Sequence, residues 1–141
     1  MSKQVLRESL PNLKDKKIQI YYPEQTGNSK TELKYNKRYI YSKQTKKNGG
    51  LWAYFRQISL KETLAGEKAD ALVDAQFTIN YNRKISSICF VEYYNYRTGK
   101  LETYGVVGEP DIYEGYKGDI KLNVKLVKDD REYDAEVYDE Q

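Results

Sequence analysis

The chain has 141 residues, a length that fits one domain, and a formal net charge of +3. It is polar, with 32% charged residues and a mean hydropathy of -0.87. Its 39% hydrophobic residues and 15 tyrosines nevertheless exclude a disordered composition. No apolar run approaches the roughly 18 residues of a membrane-spanning helix. Residues 1–10 hold no apolar stretch of signal-peptide length.

The charge is unevenly spread. Residues 1–50 hold 12 Lys/Arg against 4 Asp/Glu, a surplus of +8, and residues 51–141 hold 12 against 17, a deficit of −5. Such polarity suits either end-to-end docking of copies or an anionic partner for the first half.

Residues 1–16 read as a polar, basic arm, with Pro11 interrupting any helix there. Alternation over 17–22, with Ile18 and Ile20 on one face and Gln19 and Tyr21 on the other, predicts the first strand. Pro23 ends that strand or marks its edge. A long polar segment follows, from Tyr22 to Gly50, with about 27 residues between strands. Its soft points are Gly27-Asn28 and Asn48-Gly49-Gly50, and its middle, 33–41, is strand-like enough to form a hairpin.

Residues 51–58 form the second predicted strand. Ser59 and Glu62 have the spacing of a capping box, which predicts a helix over about residues 60–74. Strands are then expected at 75–81, 89–96, 101–107 and 119–127. Gly99 supplies the turn of a hairpin, and the last strand alternates Ile120, Leu122, Val124 and Leu126 against Lys121, Asn123 and Lys125. Alternation and side-chain size together predict a core of Trp52, Phe55, Phe77, Ile79, Phe90, Ile120, Leu122 and Val124. The single cysteine, Cys89, lies in an apolar run and reads as a small buried hydrophobe, compatible with a reducing cytoplasm. Residues 129–141 form an acidic tail of seven Asp/Glu and one Arg, in which Tyr133, Val137 and Tyr138 are spaced as docking positions. The fold class is therefore mainly β: a small antiparallel barrel or sandwich with one helix and a long loop after the first strand. The domain covers residues 1–128 and the tail residues 129–141.

Catalytic patterns are not legible. The chain has no histidine, the commonest general base and metal ligand. Gly105-Val106-Val107-Gly108 lacks the Lys-Ser/Thr of a phosphate loop. Asp129-Asp130 and Glu132-Tyr133-Asp134 lack the spacing and glycine of a calcium loop. No catalytic residue, cofactor site or metal site is assigned.

The order of the segments carries more. Gly50-Leu51-Trp52-Ala53 leads to Arg56-Gln57-Ile58-Ser59-Leu60-Lys61-Glu62. Phe77-Thr78-Ile79-Asn80-Tyr81 follows the predicted helix, and Tyr104-Gly105-Val106-Val107 follows the Gly99 hairpin. Over about residues 14–128 this resembles the head–tail joining, or head-closure, proteins of long-tailed bacteriophages. It departs from them at Asn80, where the family often has Arg, and at Val106, where it usually has Ile. The resemblance implies a structural virion protein, assembled in the host cytoplasm and active without catalysis. It implies a six-membered ring between a portal-associated adaptor and the tail proteins, closing the exit channel on packaged double-stranded DNA. It also implies that the loop after the first strand faces the channel, with Lys30, Lys34, Lys37, Arg38, Lys43, Lys46 and Lys47 toward phosphate. Two other readings are a tail-completion or tail-terminator protein, and a nucleic-acid-binding β-barrel using the aromatic and Lys residues of the first half.

Overall fold

A computed structural model describes residues 13–28, 33–43, 50–58, 73–112 and 118–139 of the chain. These residues form nine strands: β1 (Lys16–Asn28), β2 (Leu33–Tyr41), β3 (Leu51–Gln57), β4 (Ala75–Asn80), β5 (Phe90–Asn95), β6 (Lys100–Val106), β7 (Asp111–Ile112), β8 (Asp119–Leu126) and β9 (Glu136–Tyr138). The protein is mainly β.

Six strands close a barrel in the order β3-β4-β8-β6-β5-β1, and β1 returns to β3. Every pairing in the ring is antiparallel. β1 makes the closure, because Ile18 is opposite Leu51 of β3 on one side and Tyr93 of β5 on the other. Closing the ring removes the exposed edges that an open sheet would leave. The short β7 adds to β8, while β2 and β9 extend the sheet outward from β1.

The barrel interior follows the period-2 rule. Ile18 and Ile20 of β1, Ala53 and Phe55 of β3, Phe77 and Ile79 of β4 and Ile120, Leu122 and Val124 of β8 are all buried. Phe77 is central. Its ring lies 5.2 Å from Phe55, 5.7 Å from Tyr93 and 5.6 Å from Tyr104, in tilted and edge-on arrangements that aromatic quadrupoles favour.

Two expected core residues lie elsewhere. Trp52 is 52% exposed on the outer wall. The reason is parity: Leu51, Ala53 and Phe55 point inward, so Trp52 must point out, whatever its size. The Lys17 ammonium covers its ring at 4.3 Å. Phe90 is only partly buried and stacks outside the barrel on Tyr21, at 5.3 Å.

The long loop also needs correction. β1 does not stop near Pro23 but runs to Asn28, and residues 33–41 are the strand β2. The segment is a hairpin with bulges after Ile20 and Gln25. Pro23 fits because residues beyond Tyr21 pair with β2 on one side alone among the described pairings. Gly50, expected to be a soft hinge, is instead a fixed approach point. Its φ is 101°, and a Cβ there would meet the Ile18 carbonyl oxygen at 3.1 Å. Gly99, with φ 72°, makes the expected β5–β6 turn, and its N–H donates to the Asn95 carbonyl at 2.8 Å. The expected helix falls almost wholly on residues 59–72, outside the described residues. Val73 and Asp74, at its expected end, are not helical.

Cys89 is buried at 1% exposure. Burial pushes its thiol above the ordinary value, outweighing the opposing hydrogen bonds from Ser86. Little thiolate is therefore available at neutral pH. The native protein is expected to resist a thiol reagent and to label once unfolded. Stoichiometric labelling of the folded chain on mixing would contradict this.

Candidate functional site

Those singled-out residues that are described lie on or next to the β1–β2 hairpin and on the C-terminal segment beside it. β1 pairs with β5 as far as Tyr21; from Tyr22 to Asn28 its described partner is β2 alone. At about 3.3 Å per residue, this carries the hairpin roughly 20 Å past the last β1–β5 pair.

The acidic tail folds back along this hairpin. The Asp134 N–H donates to the Tyr35 carbonyl at 2.9 Å, the Lys37 N–H to Ala135 at 2.8 Å and the Asp139 N–H to Tyr39 at 2.9 Å. β9 thus lies parallel to β2, with Lys37 opposite Glu136 and Tyr39 opposite Tyr138. The strap buries the outer face of β1. Tyr21 is 1% exposed, although strand alternation places it opposite the barrel core. Its ring packs on Tyr39 at 5.5 Å and edge-on to Tyr133 at 6.2 Å, and Tyr138 stacks on Tyr39 at 5.3 Å. Tyr133 and Tyr138, expected as docking positions, are therefore engaged within the chain. Val137 sits between them in β9, opposite Arg38.

Two carboxylates anchor this layer. Glu92 is buried and accepts from the Tyr39 hydroxyl at 2.8 Å and the Gln19 amide at 3.0 Å, with the Lys37 ammonium 3.5 Å away. Asp129 accepts from the Tyr21 hydroxyl at 2.8 Å, from the Tyr133 hydroxyl and from the Arg131 guanidinium at 3.1 Å. Burial opposes ionisation of Asp129. The hydrogen bonds from Tyr133, Tyr21 and Arg131 outweigh it and hold the carboxyl below its ordinary value. Burial, and then the bond to Asp129, pushes the Tyr21 phenol well above its own.

The expected channel cations divide. Lys30, Lys46 and Lys47 lie outside the described residues. Lys34 and Lys43 are exposed, at the hairpin tip and just after β2. Lys37 turns inward, over the rings of Tyr21 at 4.6 Å and Tyr133 at 5.2 Å. Arg38 is neutralised by Asp139 at 2.8 Å and Glu24 at 3.4 Å. Lys37 and Arg38 thus serve first to fasten the strap. Desolvation offsets much of the attraction in such partly buried pairs, but removing one partner leaves an uncompensated charge. Sequence reasoning missed Glu92, Asp129 and Asp139 as anchors. The partners that tie them to the hairpin, Tyr39, Tyr21 and Arg38, lie far along the chain, and no local spacing marks those pairs. Among the described residues, no three acidic or Cys side chains converge as metal ligands.

Comparison with known proteins gives a fold and no more. No family model matches the chain, and no curated protein does. A solved structure it is similar to is the solution structure of protein SF1141 from Shigella flexneri 2a. The two match with a TM-score of 0.60 and 15% identity, over 82% of this chain and 96% of that one.

Proposed function

We propose that the protein is a structural component of the head–tail joint of a long-tailed bacteriophage. In this reading copies form a ring, probe the exit channel with the β1–β2 hairpin, retain packaged DNA and present a platform to the tail. The observation that carries the reading is a hairpin that outruns its barrel, on a chain whose segment order resembles the head-closure proteins. A rim of such hairpins has the reach to narrow a channel, while the closed barrel supplies a rigid base. The strap adds rigidity at the hairpin root, where Arg38 and Asp139 tie β2 to β9.

The mechanism asks little chemistry of the side chains. In this reading Lys34, exposed at the hairpin tip, touches phosphate without reading bases, while Lys43 is exposed at the hairpin root beside Gln19. Six copies arranged head to tail require that one face of each copy complement a different face of the next. The ring number, the adaptor and tail partners and the virion location all belong to this reading.

The test trims the hairpin tip and spares the buried Tyr39 and Ile40. Gln25 and Tyr35 are register partners. Residues 26–34 can therefore be replaced by Asn-Gly, a dipeptide that closes two-residue hairpins. Heads carrying this variant are expected to fill but to lose DNA before tails attach. Retention equal to that of unaltered heads would remove the gating role. Unchanged joining in a strain lacking the protein altogether would remove the whole reading.

A further inference from the structure

The outer face of β3, β4 and β8 carries a second surface that the hairpin function does not use. On the outer face, Trp52, Tyr54 and Arg56 follow one another along β3. Register places Lys17 opposite Trp52, Thr78 opposite Tyr54 and Lys121 opposite Thr78. Lys14 lies over the same wall, 2.9 Å from Asp119. Between Lys14, Tyr54, Arg56 and Lys121 runs a groove of about 310 Å³, in which Asp119 is the one carboxylate among the lining residues. The face is cationic and aromatic, with a tryptophan 52% exposed at its margin. Tryptophan and arginine of this kind commonly anchor protein interfaces.

The complementary surface is on the same chain. Along the strap, Asp130, Glu132, Asp134 and Glu136 are all exposed. Arg131 among them is held by Asp129, and the nearby Lys37 and Arg38 are held by Glu92, Glu24 and Asp139. The strap therefore presents a row of carboxylates outward. Round the barrel, β4 is three strands from β5 and β8 three strands from β1, the strand from which β2 and β9 branch. The β4 and β8 part of the wall thus lies across the barrel from the strap, whereas β3, which carries Trp52, Tyr54 and Arg56, pairs directly with β1.

We propose that the acidic strap of one copy docks on the β3-β4-β8 wall of the next. Two unlike patches make a heterologous contact, which repeats from copy to copy and closes when its rotation allows. Each exposed ion pair contributes little alone. The contact instead combines several charges with burial of Trp52 and Tyr54, and it weakens with salt because exposed charges are screened over about 8 Å at physiological ionic strength. This assigns the faces of the ring proposed above and rests on that reading for closure alone. The pairwise contact stands or falls on the purified chain.

The experiment is sedimentation velocity of the full chain over a range of concentration and salt. Two charge-reversed variants are compared, Lys14→Glu with Lys121→Glu and Asp130→Lys with Asp134→Lys, each checked for an unchanged melting curve. The wild type is expected to self-associate at low salt. Each variant alone should associate at least tenfold more weakly, and an equimolar mixture of the two should regain association as mixed pairs. A wild type that stays monomeric at low salt overturns the proposal. So does association that both variants retain, which would leave a ring built on other faces. Binding of a single-stranded oligonucleotide that is lost with Lys14→Glu and Lys121→Glu, without loss of self-association, would reassign the wall to nucleic acid.

Discussion

Phe77→Ala is expected to destabilise the fold by about 3–5 kcal/mol, the range for removing a fully buried phenylalanine. Phe77 is 0% exposed and touches aromatic rings from three other strands, Phe55 of β3, Tyr93 of β5 and Tyr104 of β6. Those strands belong to different arcs of a closed ring, so the neighbours cannot collapse inward without moving the barrel. The vacated volume should therefore persist, and the cost should sit toward the upper end. A stability of about 5–15 kcal/mol is typical of single domains, so this one change consumes a large part of it. Urea unfolding of the variant against the wild type measures the difference. A loss below about 1 kcal/mol would place Phe77 outside the cooperative core.

A second large effect is expected in alkali. Three buried tyrosines each donate to a carboxylate: Tyr21 to Asp129, Tyr39 to Glu92 and Tyr104 to Glu102, all at 2.8 Å. Burial foremost, and then the neighbouring carboxylate, raises all three phenols far above their ordinary value. Burial foremost, with smaller contributions from Glu102, Asp15 and Tyr96, pushes Tyr93 up to about 12. The folded state thus holds protons that the unfolded state releases near pH 10. Stability from these groups is complete below pH 10 and is lost as pH rises toward the folded values. Each such group costs up to about 1.4 kcal/mol per pH unit in that window. For the three carboxylate-bound tyrosines together, stability at pH 11 should be lower than at neutral pH by about 4 kcal/mol. Denaturant melts at stepped pH measure this, and tyrosinate absorbance should rise together with unfolding. Full ionisation of all the tyrosines near pH 10 in a folded chain would show that these phenols are not buried donors.

The strap follows the opposite sign at low pH. The lowered Asp129 value means that its contribution is present above the ordinary carboxyl range and disappears as pH falls through the folded value. Acid should therefore loosen the strap from Tyr21 and Tyr133.

Local pattern was enough to determine most of the barrel. β3, β4 and β8 alternate cleanly, and hydrophobic side chains at every second position leave one face to bury. The β5–β6 hairpin was legible because Gly99 needs a positive φ that few other residues adopt. Residues 33–41 read as strand-like enough to form a hairpin, but its other arm, the continuation of β1 to Asn28, was hidden behind Pro23 and the polar character of residues 24–28. Such residues are acceptable in a strand whose far side is open. Trp52 shows the limit of arguing from size, since parity along β3 overrides the large apolar area of its ring.

Tertiary structure alone decided closure and anchoring. β1 serves β2, β3 and β5 along one strand, and nothing in its period announces three partners. The strap depends on Tyr21 meeting Asp129 and Arg38 meeting Asp139, pairs separated by 108 and 101 positions. Charge counts along the chain showed a basic first half and an acidic end. They could not show that Lys37 and Arg38 would be spent inside the molecule, while Asp130, Glu132, Asp134 and Glu136 stay exposed along the strap. The physical reason is that hydrophobic period acts between near neighbours, whereas ion pairs form wherever the closed sheet brings distant strands together.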